Sequence, residues 1–181
     1  MKRRSFLLTW LFCALFLVGS TAVAAAMPRV AVVPFANKVP VATNLSRSAN
    51  LDIAMEAAIF AVQNTGKFDV VERAELQRLL DELGLGMNPL FDPSSCAKIG
   101  KFLGAQYVVL GSVTSISRLN DSGKINVGVY ARMIEVETAR VMLVGRGKAT
   151  GTGDVNDLLE KAVDDAMSGK QGMLTQFFQR K

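Results

Sequence analysis

Between residues 125 and 133 the side chains alternate strictly: Ile125, Val127, Val129, Ala131 and Met133 are apolar, with Asn126, Gly128, Tyr130 and Arg132 between them. A period of two matches a strand with one face in a core and the other in water, the usual condition of an antiparallel sheet. The flanks extend the pattern. Residues 107–117 (YVVLGSVTSIS) and 140–147 (RVMLVGRG) are further strand candidates, reached through Asn-Asp-Ser-Gly at 120–123 and through Glu137-Thr138-Ala139. A hairpin turn signal between two such runs predicts a three-strand meander. The glycine-rich stretch 145–153 reads as the exit of its last strand and a linker. It does not open a helix inside a parallel βαβ unit, as a dinucleotide fingerprint must.

The first half has another rhythm. Residues 29–35 (RVAVVPF) form a valine-rich apolar run suited to a buried strand, and 36–48 read as a loop. Leu51, Met55, Ala58, Ile59 and Val62 recur at helical spacing, ending at Gly66. A short strand at 68–72 runs into a helix with the stripe Leu76, Leu79, Leu80 and Leu83, stopped by Gly84 and Gly86; Asn88-Pro89 starts a loop. Asp92, Ser94 or Ser95 caps a short helix through 96–104, and Asp154 caps one that buries Val155, Leu158, Leu159, Ala162, Val163 and Ala166. The order β-α-β-α-α-β-β-β-α predicts an α+β fold. Helices pack on one face of a mixed sheet with a C-terminal antiparallel meander, and polar side chains occupy the other face.

The amino terminus reads as an address. Lys2-Arg3-Arg4 precede an uncharged apolar run, and Ala22-Val23-Ala24 and Ala24-Ala25-Ala26 both fit a small-residue cleavage site. Residues 1–26 are therefore expected to be a signal, cleaved after Ala24 or Ala26, with 27–168 as one domain and 169–181 as a short amphipathic segment. Arg3-Arg4 resembles a twin-arginine signal, although general secretion suits a chain without a cofactor motif. A retained anchor is the rival reading of the run. Cys13 does not suit lipidation, because the bulky Trp10-Leu11-Phe12 precede it. Without Lys2, Arg3 and Arg4 the net charge falls from +5 to +2, which gives no argument for binding nucleic acid.

Chemistry is constrained by what is missing. The chain has no histidine, so imidazole catalysis and His-ligated zinc are excluded, and two cysteines cannot build a Cys-rich metal cage. The Gly-Lys pairs at 66, 100, 123, 147 and 169 are never followed by Ser or Thr, so none is a Walker loop. The carboxylates at 72, 75, 81 and 82, and at 154, 157, 160, 164 and 165, read as solvated helix faces. Cys96 lies near a helix N-terminus but lacks a basic partner, and reads as a structural thiol. No catalytic residue, cofactor, metal or small-molecule substrate is expected. Two places suggest contacts instead. Glu72-Arg73 sits at a strand-to-helix junction, as either a local ion pair or an interface contact. Met173, Leu174, Phe177 and Phe178 fall on one helical side, either packing back on the body or docking on a partner.

The runs 29–35 (RVAVVPF), 66–82 (GKFDVVERAELQRLLDE) and 99–114 (IGKFLGAQYVVLGSVT), with the turn 136–141 (VETARV), resemble the CsgG/HfaB-like family of curli assembly and transport components. The resemblance covers most of residues 29–165. It implies a periplasmic, non-enzymatic domain that assists assembly or secretion of cell-surface structures through contacts with envelope proteins. Homo-oligomerisation is left open, outer-membrane association is allowed, and any membrane contact is peripheral. Phe177, Phe178, Glu72 and Arg73 are then the candidate partner contacts. Relatives of this kind include secretion-channel subunits and activators of peptidoglycan synthases, which stand as alternatives. The chain lacks the lipid-bearing cysteine and the membrane-hairpin inserts of the channel type.

Overall fold

The alternation at 125–133 lies at the centre of the computed structural model, which describes residues 26–40, 44–85, 92–119 and 123–180. The expected signal and the hairpin tip at 120–122 lie outside those residues, apart from Ala26. In chain order the elements are β1 (Arg29–Val32), β2 (Ala36–Asn37), α1 (Asn44–Arg47), α2 (Leu51–Asn64), β3 (Asp69–Val70), α3 (Arg73–Glu82), α4 (Pro93–Phe102), β4 (Tyr107–Leu119), β5 (Lys124–Glu135), β6 (Arg140–Gly151), α5 (Val155–Ser168) and α6 (Met173–Gln179). The fold is α+β on a mixed sheet, ordered β3-β1-β4-β5-β6, with β2 also paired to β4. β1 runs parallel to β3 and β4, and β4, β5 and β6 are antiparallel neighbours.

Cross-strand partners share a face, so register sorts the side chains. Gly111, Ala131 and Gly145 are in line, as are Val113, Val129 and Gly147. α5 lies on that face, and α2 and α6 pack beside it. α5 comes very close: a Cβ at Gly145 would stand 1.9 Å from the carbonyl oxygen of Ala166, and one at Gly147 would stand 1.9 Å from that of Ala162. These glycines are therefore inside β6, where they admit the helix backbone, and β6 continues to Gly151. Of the strand exit and linker expected over 145–153, only the last two residues lie beyond the strand. Both Val residues and the whole apolar stripe of α5, from Val155 to Met167, are buried.

The parallel edge is built differently. Val108, Ile134 and Leu110 belong to the opposite face, and α4 closes it there, since a Cβ on Gly100 would meet Val108 and Val136 side chains. Asp92 caps α4 by accepting from the Ser95 N–H at 2.9 Å. At the start of β1, the Arg29 guanidinium donates to Glu75 of α3 at 2.7 Å and stands 3.6 Å from Asp69 of β3. The leucine stripe of α3 is only half realised: Leu76 and Leu80 are buried, whereas Leu83 is 40 % exposed.

Candidate functional site

Two surfaces of the domain lie on opposite sides of the sheet. The first is a groove between α2 and α5. These helices start side by side, tied where the Asn50 N–H donates to Asn156 Oδ1 at 2.8 Å, each with its own cap, Asn50 on α2 and Asp154 on α5. The groove has a volume of about 960 Å³. Ile53, Ala57 and Phe60 supply its apolar part, and Asp52, Glu56, Asp157, Glu160 and Asp164 line it with acid, with Lys161 as a cation among them. Phe60 is 64 % exposed, because it falls off the stripe that α2 turns to the core.

The second surface is the open face of the meander. Tyr130, Arg132, Val144, Arg146 and Lys148 alternate with the residues that α5 covers, and pair across strands as Arg132 with Val144 and Tyr130 with Arg146. The Arg146 guanidinium lies 4.8 Å from the Tyr130 ring centroid and also donates to its hydroxyl. Asn126 and Thr150 join by a 3.2 Å hydrogen bond farther along. Val141 and Val144 stand 40 % and 44 % exposed. Among the described strand residues on this face there is no carboxylate.

The residues singled out in the sequence are placed as follows. Glu72 is the exposed N-cap residue of α3 and makes no side-chain cap. Arg73 does not pair with it but reaches α2, donating to Asp52 at 2.6 Å and Glu56 at 2.8 Å. Those carboxylates hold its guanidinium pKa above the ordinary value, the Glu56 hydrogen bond contributing most. Phe177 is buried, its ring 5.3 Å from Phe68 and 5.6 Å from Tyr107. Phe178 is half-buried, 5.5 Å from Phe177, with the Lys67 ammonium 5.7 Å from its ring. The C-terminal segment thus packs back on the body. Glu72–Arg73 and Phe177–Phe178 do not form one site.

The carboxylates near the parallel edge are dispersed. Asp69 and Glu75 flank Arg29, Asp92 caps α4, and Glu72 is exposed. The Ser95 N–H lowers the Asp92 pKa. Cys96 is fully buried, and burial followed by the Asp92 carboxylate pushes its thiol up to about 12. Burial outweighs any depression from the helix N-terminus. Among the described residues no cluster of His, Cys, Asp or Glu is placed to hold a metal, and no helix is long and apolar enough to cross a membrane.

Sequence reasoning missed the groove and read only the part of the open face that alternation places on β5, Asn126, Tyr130 and Arg132. The acids of α5 looked like an ordinary wet face, and Arg146, inside the strand candidate 140–147, and Lys148, just beyond it, were not joined to Tyr130 and Arg132. One signal was available: Phe60 is an aromatic side chain outside the helical stripe of its own segment.

A family model, "Curli production assembly/transport component CsgG", matches residues 14–124. Among solved structures, the LpoB C-terminal domain from Escherichia coli is similar with a TM-score of 0.54 and 22% identity, over 69% of this chain and 84% of that one. Lipoprotein GNA1162 from Neisseria meningitidis gives 0.52 and 18%, over 84% and 96%. The PelC dodecamer from Paraburkholderia phytofirmans gives 0.50 and 19%, over 80% and 87%. No curated protein sequence matches the chain. At these identities the structural likeness concerns the fold alone.

Proposed function

The chain belongs to the CsgG family of curli production assembly/transport components, and from that premise we propose that it is an exported, non-enzymatic envelope protein. It assists assembly or secretion of a cell-surface structure through protein–protein contacts. The family match carries this reading. An N-terminal cationic, apolar and small-residue succession supports export to the periplasm. The way carboxylates serve in caps and ion pairs supports contact over catalysis. Phe178 and Glu72, half-buried and exposed respectively, are the proposed contacts most open to a partner, whereas Phe177 and Arg73 hold the domain together. Activation of a peptidoglycan synthase is a narrower form of the same role.

A channel subunit is the other form. It would require β4 and β5 to leave a sheet in which they pair from Tyr107–Glu135 to Leu119–Lys124. The test is in-cell photocrosslinking from positions 72 and 178, followed by identification of adducts. A discrete envelope protein is expected at one of them. The same adduct pattern from a scrambled surface position, or none from either, would end the proposal. Release of the protein by osmotic shock separates the periplasmic form from the channel form.

A further inference from the structure

We infer that the free edge of β4 takes up an extended acidic segment of a partner polypeptide as an added strand. The inference rests on the contact role proposed above and deepens it by naming the kind of partner. β4 runs from Tyr107 to Leu119, but β2 accompanies it only to the Asn37–Val113 pair. Across that seam the Lys38 N–H donates to the Val113 carbonyl at 2.8 Å. Val113 thus turns its carbonyl away from β5, so it and Val129 form a non-hydrogen-bonded pair of the antiparallel ladder. Alternation along β5 gives the same status to Val127 and Ile125, whose partners are Ile116 and Arg118. Ile116 and Arg118 therefore point their N–H and C=O groups outward, and among the described residues no strand receives them. From Ser115 to Leu119 the open edge is about 17 Å long, the length of an ordinary strand.

The side chains decide what the edge accepts. Val39, Pro40, Asn44 and Leu45 stand beside it and, with residues 114–118, enclose a notch of about 680 Å³. Ile116 and Arg118 share one face of the strand, and Ser115 and Ser117 share the other. An added strand sets an apolar side chain beside Ile116 and, two residues on, a carboxylate beside Arg118. The charge around the notch agrees with that pattern. Lys38, Arg47 and Arg118 are exposed, and among the described residues no carboxylate lines the notch. Two copies joined edge to edge would bring Arg118 of both into one ladder, the kind of repulsion by which natural edges resist self-pairing. An acidic segment relieves it. Main-chain bonds then supply the affinity, and the notch and Arg118 supply the selectivity.

The experiment uses protein recovered from cells expressing the full chain, with amide hydrogen exchange read by NMR. The probe is a synthetic peptide of about ten residues in which threonine alternates with valine and glutamate. It is expected to slow exchange at Ile116 and Arg118 by roughly tenfold or more, while Ser115 and Ser117, whose amides face β5, change little. Two N-methylated twins, one blocked at valine and glutamate and the other at threonine, cover both strand directions, and one of them is expected not to bind. A lysine-for-glutamate peptide is expected to bind more weakly than the probe. Arg118→Pro removes an outward N–H at a place where an edge strand tolerates proline. It should abolish protection at Ile116, with circular dichroism confirming that the variant folds. Arg118→Gln keeps the N–H and should bind the glutamate and lysine peptides alike. Slow exchange at Ile116 and Arg118 in the dilute protein alone would assign the edge to residues 41–43 of this chain. Slowing that grows with protein concentration would assign it to a second copy, and binding of both N-methylated twins would make the contact one of side chains. Each of these overturns the inference. So does a probe that protects nothing, and envelope adducts from positions 72 and 178 then show whether the contact role falls with it.

Discussion

The two faces of the meander differ in what a glycine is for. On the face under α5, Gly145 and Gly147 oppose backbone, the carbonyl oxygens of Ala166 and Ala162. On the open face, Gly128 would bring a Cβ to 2.5 Å from Ser115 Oγ, a side chain free to rotate. A helix backbone cannot retreat without dragging Leu159, Val163 and Met167 from the core, whereas a serine can change rotamer. One face is thus a fixed joint and the other an adjustable surface. The difference explains why apolar and small residues hold one register while Tyr, Arg and Lys hold the next.

The sharpest way to break this contrast is Gly147→Ala against Gly128→Ala. The first should destabilise by about 3 kcal/mol or more, since both the β6 and α5 backbones must move. The second should cost about 1 kcal/mol or less. Urea unfolding checks both, and equal losses would mean that α5 sits less tightly on the sheet than the geometry shows. Phe177→Ala against Phe178→Ala probes the rim of the same covered face. Phe177 is buried between Phe68 and Tyr107, so truncation should cost about 3 kcal/mol. Phe178 keeps one side in water, and its loss should be clearly smaller. The midpoints of thermal unfolding would order the two.

Much of this was legible beforehand. The period-two pattern predicted β5 and its buried side, the Asp154 cap lies where the sequence puts it, and Asp92 is the cap among the three candidates offered for α4. Met173, Leu174 and Phe177 are core residues, as one of two readings held. Gly145 and Gly147 fell inside the strand candidate 140–147, but the reason they are glycines was not legible, because a residue without a side chain carries no periodic signal. Their role appears only when α5, from a different part of the chain, is laid across them. The groove was hidden for the same reason. Acids at 157, 160 and 164 look identical on a lone wet helix and on one wall of a cleft, and only the neighbour α2 with Phe60 distinguishes the two. Arg73 likewise finds its partners, Asp52 and Glu56, twenty residues or so upstream on α2, a pairing that local spacing cannot show.

Cys96 extends the comparison to the opposite face at the parallel edge, where α4 provides the cover. Its folded thiol pKa is raised to about 12 by burial, against an unfolded value near 8.5. Above that unfolded value the unfolded chain loses the proton that the native chain retains. The contribution is therefore complete below about pH 8.5 and falls by about 1.4 kcal/mol per pH unit on the way to the folded pKa. Cys96→Ala should lose stability at neutral pH through a small cavity, yet show a shallower decline between pH 9 and 10.5. Urea midpoints for both proteins across that range check it. Parallel declines would mean that water reaches the thiol and that α4 does not seal its face.

The smallest effect belongs on the open face, and its smallness is what matters. Arg146 is exposed, stacked on Tyr130 and bonded to its hydroxyl. An exposed cation over an aromatic ring contributes about 0.5–1 kcal/mol, and nothing in the core leans on it. Arg146→Ala should therefore lower stability by no more than about 1 kcal/mol, and Tyr130→Leu should add little to it, since each removes the same pair. A double-mutant cycle in urea measures that coupling directly. A loss as large as that at Gly147, two residues along the same strand, would mean that the polar register bears on folding as heavily as the buried one. A loss within the expected range leaves Tyr130 and Arg146 as side chains whose positions the fold tolerates but does not need, which is the condition of residues kept for contact.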